Sequence, residues 1–175
     1  MVPRVFNDGA DLIMRIAITL AALAFGALAL AGCHGKSAPE HYDLTPESNQ
    51  KFLADNGARK DVTTTASGLQ YRVINTGHGR QVTGPGDIVT VTYKGWTIDD
   101  HVFDRTQHGA TASFPAGGLI PGWVEALKLM HAGDEWQLVI PADLGYGAEG
   151  AGADIPPNQT LVFNMQLISV HPPNE

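Results

Sequence analysis

Side chains that could do bond-breaking chemistry are sparse in this chain, and their spacing argues against the commonest arrangements. The seven histidines are scattered, most of them in turns or tails. His101 and His108 flank one loop without metal-ligand spacing and read as solvated loop residues. No Gly-x-Ser-x-Gly, phosphate-binding loop or His-Glu-x-x-His is present, so neither a metal nor a cofactor is expected. The acids are densest at Asp99-Asp100, which reads as a hairpin turn, and at Asp104, which directly follows Phe103 and enters a strand. What remains is a set of aromatics from separate segments: Tyr93, Phe103, Phe114, Trp123, Tyr146 and Phe163. Such residues are more often core than cleft. Tyr146, however, sits in Gly145-Tyr146-Gly147 within a long loop, and a Tyr there, with a hydroxyl to place, suits a pocket rim. Trp123 reads first as a core aromatic, but it lies in a helix's first turn beside Leu119-Ile120-Pro121.

The elements that must position them follow from periodicity. Trp123, Ala126, Leu127 and Met130 fall at i, i+3, i+4 and i+7, one face of a two-turn helix. Pro121-Gly122 sets the turn into it, and Gly133 is expected to end it in a left-handed conformation. A helix this short needs its apolar face covered, and its neighbours in sequence are strand-like. Leu69, Tyr71 and Val73 alternate with polar residues. Val89, Val91 and Tyr93 share a face, as do Trp136, Leu138 and Ile140, and then Leu161, Phe163, Met165 and Leu167. Short strands are expected near Phe103-Asp104 and Ala112–Phe114, around a polar loop at 105–111. A Gly/Pro-rich loop runs from Pro141 to Pro157. Connections this short imply antiparallel pairing. The fold class is α+β, a curled antiparallel sheet of about five strands wrapped around one short helix. Upstream, Thr45-Pro46-Glu47 begins a small helix carrying Phe52 and Leu53, which Asn56-Gly57 ends.

The amino-terminal segment differs. From Ile16 to Ala31 the chain is almost wholly apolar and free of acids. It closes on Leu30-Ala31-Gly32-Cys33, which resembles the lipobox at which bacterial lipoproteins are cut and lipidated. Asp8 and Asp11 are out of place before such a segment, and Met14 reads as the true start. Residues 1–32 are therefore expected to be a signal peptide. Cys33, the single cysteine, is expected to carry the lipid. Residues 33–62 are the tether and small helix, and residues 63–171 the main domain. The resulting location is the bacterial cell envelope, anchored and facing the periplasm. His34 after the cysteine favours the outer membrane over the inner. The net charge of −7 argues against nucleic-acid partners. No heptad precedes the domain, so a monomer is expected.

From about Thr65 to Val170 the chain resembles the FKBP-type peptidyl-prolyl cis-trans isomerases. The resemblance is carried by Val91-Thr-Tyr-Lys-Gly-Trp96, Val102-Phe-Asp104, Leu119-Ile-Pro-Gly-Trp123, Gly145-Tyr-Gly147 and Ile155-Pro-Pro-Asn-Gln-Thr-Leu-Val-Phe163. It implies a half-barrel sheet wrapped on the helix with an apolar pocket between them. By motif position Trp123 would floor the pocket, and Tyr93, Phe103, Leu119, Ile120 and Phe163 would wall it. Asp104 and the Tyr146 hydroxyl would be its polar groups, and the Ile120 N–H would hold a substrate carbonyl. Phe103, Asp104 and Tyr146 are the residues expected to carry catalysis. The implied partners are proline-containing polypeptides, with tacrolimus or rapamycin as ligands. Ala151, Asp154 and Gly118 depart from the family's usual rim residues, which bears on substrate preference. The competing reading is a non-catalytic envelope chaperone or interaction module using the same pocket.

Overall fold

The computed structural model describes residues 41–173. The expected signal peptide, Cys33 and the start of the tether lie outside the described residues. Two helices and seven strands follow in order: α1 (Pro46–Gly57), β1 (Thr63–Thr64), β2 (Gln70–Asn75), β3 (Ile88–Thr97), β4 (Val102–Arg105), β5 (Ala112–Pro115), α2 (Pro121–Leu129), β6 (Glu135–Ile140) and β7 (Leu161–His171). The strands form one antiparallel sheet in the order β1-β2-β6-β7-β3-β4, with β5 also paired to β3. Thus β3 meets β7 along one edge. On its other edge the amino-terminal half meets β5 and the carboxy-terminal half β4. Register shifts at Thr90/Val91 and Gly95/Trp96 mark where the ladder bends, as bulges do.

The expected stripe on α2 is the one that is buried: Ala126, Leu127 and Met130 are fully buried and Trp123 is 4% exposed. Against it pack Val89 and Val91 of β3, Leu138 and Ile140 of β6, and Leu161, Phe163, Met165 and Leu167 of β7. Gly122 lets the helix approach β6, since a Cβ there would lie 2.6 Å from Ile140. The end of α2 differs from expectation. The helix stops at Leu129, and Met130 turns extended, with φ −79° and ψ 151°, keeping its side chain in the core. Gly133 does have a positive φ of 97°, but in the next turn. Gly77 approaches it there, and the Asp134 carboxylate accepts from the Gly77 and His131 N–H groups at 2.5 and 2.7 Å.

The sheet has seven strands rather than about five: the short β4 and β5 expected around the polar loop both pair with β3, and the two-residue β1, which carries no alternation to announce it, adds to β2. It also carries a second helix. Val139 and Val162 face each other across β6 and β7 and are 2% and 3% exposed, on the opposite face from Leu138 and Phe163. Around them lie Phe52 of α1, Tyr42 and Trp96, and the Tyr42 and Phe52 rings meet edge to face at 5.0 Å. Thr45 caps α1 as expected, its Oγ1 accepting the Ser48 N–H at 3.3 Å.

Candidate functional site

Between the α2 face and the sheet's inner face lies a cavity of about 330 Å³. Trp123, at the start of α2, forms its floor. Tyr93 comes from β3, Phe103 from β4, Phe114 from β5 and Phe163 from β7, while Leu119 and Ile120 lead into α2. Tyr146, Ala151, Asp154 and Ile155 reach over it from the loop joining β6 to β7. The eight residues singled out for catalysis or substrate contact in the sequence therefore meet at one place. Phe114 and Ile155 join them without having been assigned a site role. In sequence Phe114 is one aromatic among several and Ile155 heads Ile155-Pro156-Pro157, and neither position by itself signals a cavity wall.

The rings are arranged edge to face. Trp123 meets Tyr93 at 5.1 Å, Phe163 at 5.2 Å and Phe114 at 6.4 Å, with interplanar angles of 84°, 82° and 84°. Phe103 and Phe163 meet at 5.5 Å and 82°. Such pairs are favourable beyond their buried area, by about 0.5–1.5 kcal/mol each. They hold the walls in place before any ligand arrives. Gly95 makes the last pair possible. A Cβ there would stand 2.6 Å from the Phe163 ring and 2.7 Å from the Phe103 ring. A glycine inside a strand is itself a sign of close approach, and that signal was present in the sequence.

Asp104, Tyr146 and Asp154 bring polar groups to the rim, and the floor carries one more, the Trp123 indole N–H, which is buried without a hydrogen-bond partner among the described residues. The Tyr93 hydroxyl donates to Asp104 Oδ2 at 2.6 Å, and the Arg105 N–H donates to Asp104 Oδ1 at 2.7 Å. Burial of the Tyr93 phenol, reinforced by the Asp104 carboxylate beside it, pushes its pKa well above the ordinary tyrosine value, so the phenol remains a donor. Tyr146 is 40% exposed, and among the described residues its hydroxyl has no hydrogen-bond partner. The same holds for the Ile120 N–H, which precedes the Pro121 that starts α2. His101, expected to be a solvated loop residue, is exposed but faces Asp154, its Nε2 lying 3.4 Å from Asp154 Oδ1. Asp154 thus sits on the rim with its side chain 65% exposed.

Chemically the site offers a pocket walled largely by aromatic and aliphatic side chains. At its mouth stand a fixed carboxylate, a phenol and a free backbone N–H. This suits a reaction in which a planar polar group becomes less polar as it twists.

A family model described as FKBP-type peptidyl-prolyl cis-trans isomerase matches residues 79–168. A second, described as the domain amino terminal to FKBP-type peptidyl-prolyl isomerase, matches residues 34–73. Among curated relatives, the FKBP-type 22 kDa peptidyl-prolyl cis-trans isomerase of Escherichia coli is 49% identical over 121 residues, covering 69% of this chain and 58% of that protein. The outer membrane protein MIP of Legionella longbeachae is 47% identical over 120 residues, covering 68% and 51%. The crystal structure of FkpA from Escherichia coli superposes with a TM-score of 0.68 at 39% identity, covering 73% of this chain and 59% of that one. The chain spans about half the length of the curated relatives it matches.

Proposed function

Because the chain belongs to the FKBP-type peptidyl-prolyl cis-trans isomerase family, we propose that it accelerates rotation about Xaa–Pro bonds in exported polypeptides. The observation that carries the proposal is the cavity of about 330 Å³ walled by Tyr93, Phe103, Trp123 and Phe163, with Asp104 and Tyr146 among its lining residues. Amide rotation faces a barrier of about 18–20 kcal/mol, and uncatalysed Xaa–Pro exchange takes tens of seconds or more. No bond is made or broken, so the protein needs only to bind the twisted amide better than the planar one. At mid-rotation the amide has lost resonance and is less polar, so an apolar enclosure favours it. Tyr93, Phe163 and Trp123 enclose the proline ring, and Leu119, Ile120 and Phe103 hold the chain around it. The Ile120 N–H and the Tyr146 hydroxyl hold substrate carbonyls. Asp104 faces the amide carbonyl carbon, whose partial charge changes as the bond turns. A few kcal/mol of such preference suffices, at about tenfold in rate per 1.36 kcal/mol.

The test is a protease-coupled prolyl isomerisation assay on the purified protein, with and without rapamycin. Acceleration abolished by rapamycin is expected. Isomerisation at the uncatalysed rate, with aggregation of an unfolded client still suppressed, would favour a chaperone without catalysis.

The proposal extends to the setting. Leu30-Ala31-Gly32-Cys33 supports a lipid anchor on Cys33 of a protein facing the periplasm, and the Legionella relative described as an outer membrane protein is consistent with that membrane. Cys33→Ser should yield a product that remains unprocessed or is mis-sorted. Cleavage after Gly32 and membrane fractionation like the parent's would remove the anchor from the account.

Asp154 should shape substrate preference. A charged carboxylate on the rim offers little apolar area to the residue before the proline and resists desolvation. Burying a Leu- or Phe-sized side chain fully is worth about 1.5–3 kcal/mol, and a rim contact roughly a third to a half of that. Asp154→Ile should therefore raise kcat/KM for Leu-Pro and Phe-Pro peptides several-fold, with a much smaller change for Ala-Pro, and should tighten rapamycin binding. A uniform change across the peptide series, or none, would take Asp154 out of the substrate-binding rim.

A further inference from the structure

Helix α1 is fastened to the sheet by two buried amide pairs. Asn56 Nδ2 donates to Gln70 Oε1 at 2.7 Å, and Gln70 Nε2 donates to the Leu53 carbonyl at 2.9 Å. Two turns earlier on the same face, Asn49 Nδ2 donates to Gln159 Oε1 at 3.1 Å, and Asn49 Oδ1 accepts the Thr160 N–H at 2.7 Å. Gln159 Nε2 in turn donates to the carbonyls of Leu44 and Pro157 at 3.1 and 3.0 Å. Asn49 and Gln159 are 5% and 6% exposed. Buried amides are costly unless fully bonded, and an apolar contact such as that of Phe52 would hold a helix equally well. What the amides add is a fixed position for whatever they bond.

The two pairs bond different things. Gln70 lies at the start of β2 and does not line the cavity. Gln159 and Thr160 form the foot of the loop that carries Tyr146, Ala151, Asp154 and Ile155 over the cavity. From that foot the loop is tied inward: the Asn158 N–H donates to the Gly147 carbonyl at 2.8 Å, Ala151 and Ile155 exchange backbone bonds at 2.8 and 3.1 Å, and the Gly150 N–H reaches the Tyr146 carbonyl at 3.2 Å. We infer that Asn49 is a positioning residue for the pocket: through Gln159 and Thr160 it sets the loop that presents Tyr146 and Ile155 to the substrate. The inference rests on the isomerase reading for its kinetic consequence, though not for its structural one. A loop left free must be ordered anew at each binding event. Losing its anchor weakens ground-state and transition-state binding alike, which raises KM and leaves kcat unchanged.

The test compares Asn49→Ala with Asn56→Ala, since each removes one buried amide from the same face of the same helix. Amide hydrogen exchange at Gly147, Gly150, Ala151, Ile155 and Asn158 should accelerate in Asn49→Ala and remain near the parent's in Asn56→Ala. KM for a Leu-Pro peptide should rise about three- to tenfold in the first variant only, the range a lost hydrogen bond implies. Equal exchange in the two variants, whether fast or slow, would overturn the inference. The exchange measurement decides this even if the parent proves to lack isomerase activity, so the two failures remain distinct. Should Asn49→Ala not fold, Asn49→Asp keeps the acceptor for the Thr160 N–H and removes the donor to Gln159, and the same exchange pattern is expected of it.

Discussion

Trp123→Ala is expected to cost about 3–5 kcal/mol of folding stability, the range for truncating a buried large aromatic. Trp123 is 4% exposed and is the hub of the site, since the rings of Tyr93, Phe114 and Phe163 all meet it edge to face. Removing it opens a hole where α2 meets the sheet, and those three rings lose the contact that orients them. The loss should appear in a urea titration as a lower midpoint with an unchanged slope. Any fraction that folds should be inactive, because the floor and the orientation of the walls go together. Trp123→Phe or Trp123→Leu should recover much of the stability and less of the activity. A cost below about 1 kcal/mol in the alanine variant would mean that the indole is not the floor described here, since collapse around so large a void is only ever partial.

Asp104→Val should lower kcat/KM by about tenfold or more while leaving stability within about 1 kcal/mol of the parent. The magnitude follows from the typical worth of a hydrogen bond to a charged group, about 1.5–3 kcal/mol. The small stability change follows because Asp104 is exposed. The structure offers two ways for Asp104 to act. It can face the turning amide directly, or it can act only through Tyr93, whose hydroxyl it holds at 2.6 Å. Tyr93→Phe and the double variant separate them. If Asp104 serves only to orient Tyr93, the double variant should be no worse than either single one; if it acts on the substrate, the Asp104→Val loss should persist in the Tyr93→Phe background. Unchanged kinetics in Asp104→Val with the fold intact would remove the carboxylate from the mechanism altogether.

These expectations rest partly on what was legible in the sequence and partly on what was not. The α2 stripe of Trp123, Ala126, Leu127 and Met130 was legible, as were the alternations in β3, β6 and β7. Helix and strand each repeat over a few residues, so the buried face writes itself into local spacing. The chemical character of the site was legible too, from scattered aromatics, one carboxylate after Phe103 and a tyrosine between two glycines. The family resemblance supplied their grouping, which spacing alone did not.

What the sequence left open was decided by contacts between distant segments. Gly133 looked like a helix terminator, but Met130 leaves the helix first because its side chain is held in the core, and Gly133 instead makes room for Gly77. Val139 and Val162 lie on the sheet face opposite the expected stripes, and their burial depends on the chain around Tyr42 and Phe52 that lies against them. His101 is exposed, as a solvated loop histidine should be, but its neighbour Asp154 lies 53 residues away and leaves no mark in local spacing. Asn49 and Asn56 are buried, yet a polar side chain carries no sign in the sequence of whether water or a buried glutamine will satisfy it. Periodicity reports which face is apolar. Only the tertiary structure decides which buried polar groups find each other, because that depends on which segments meet, whether 14 residues apart as for Asn56 and Gln70 or 110 as for Asn49 and Gln159.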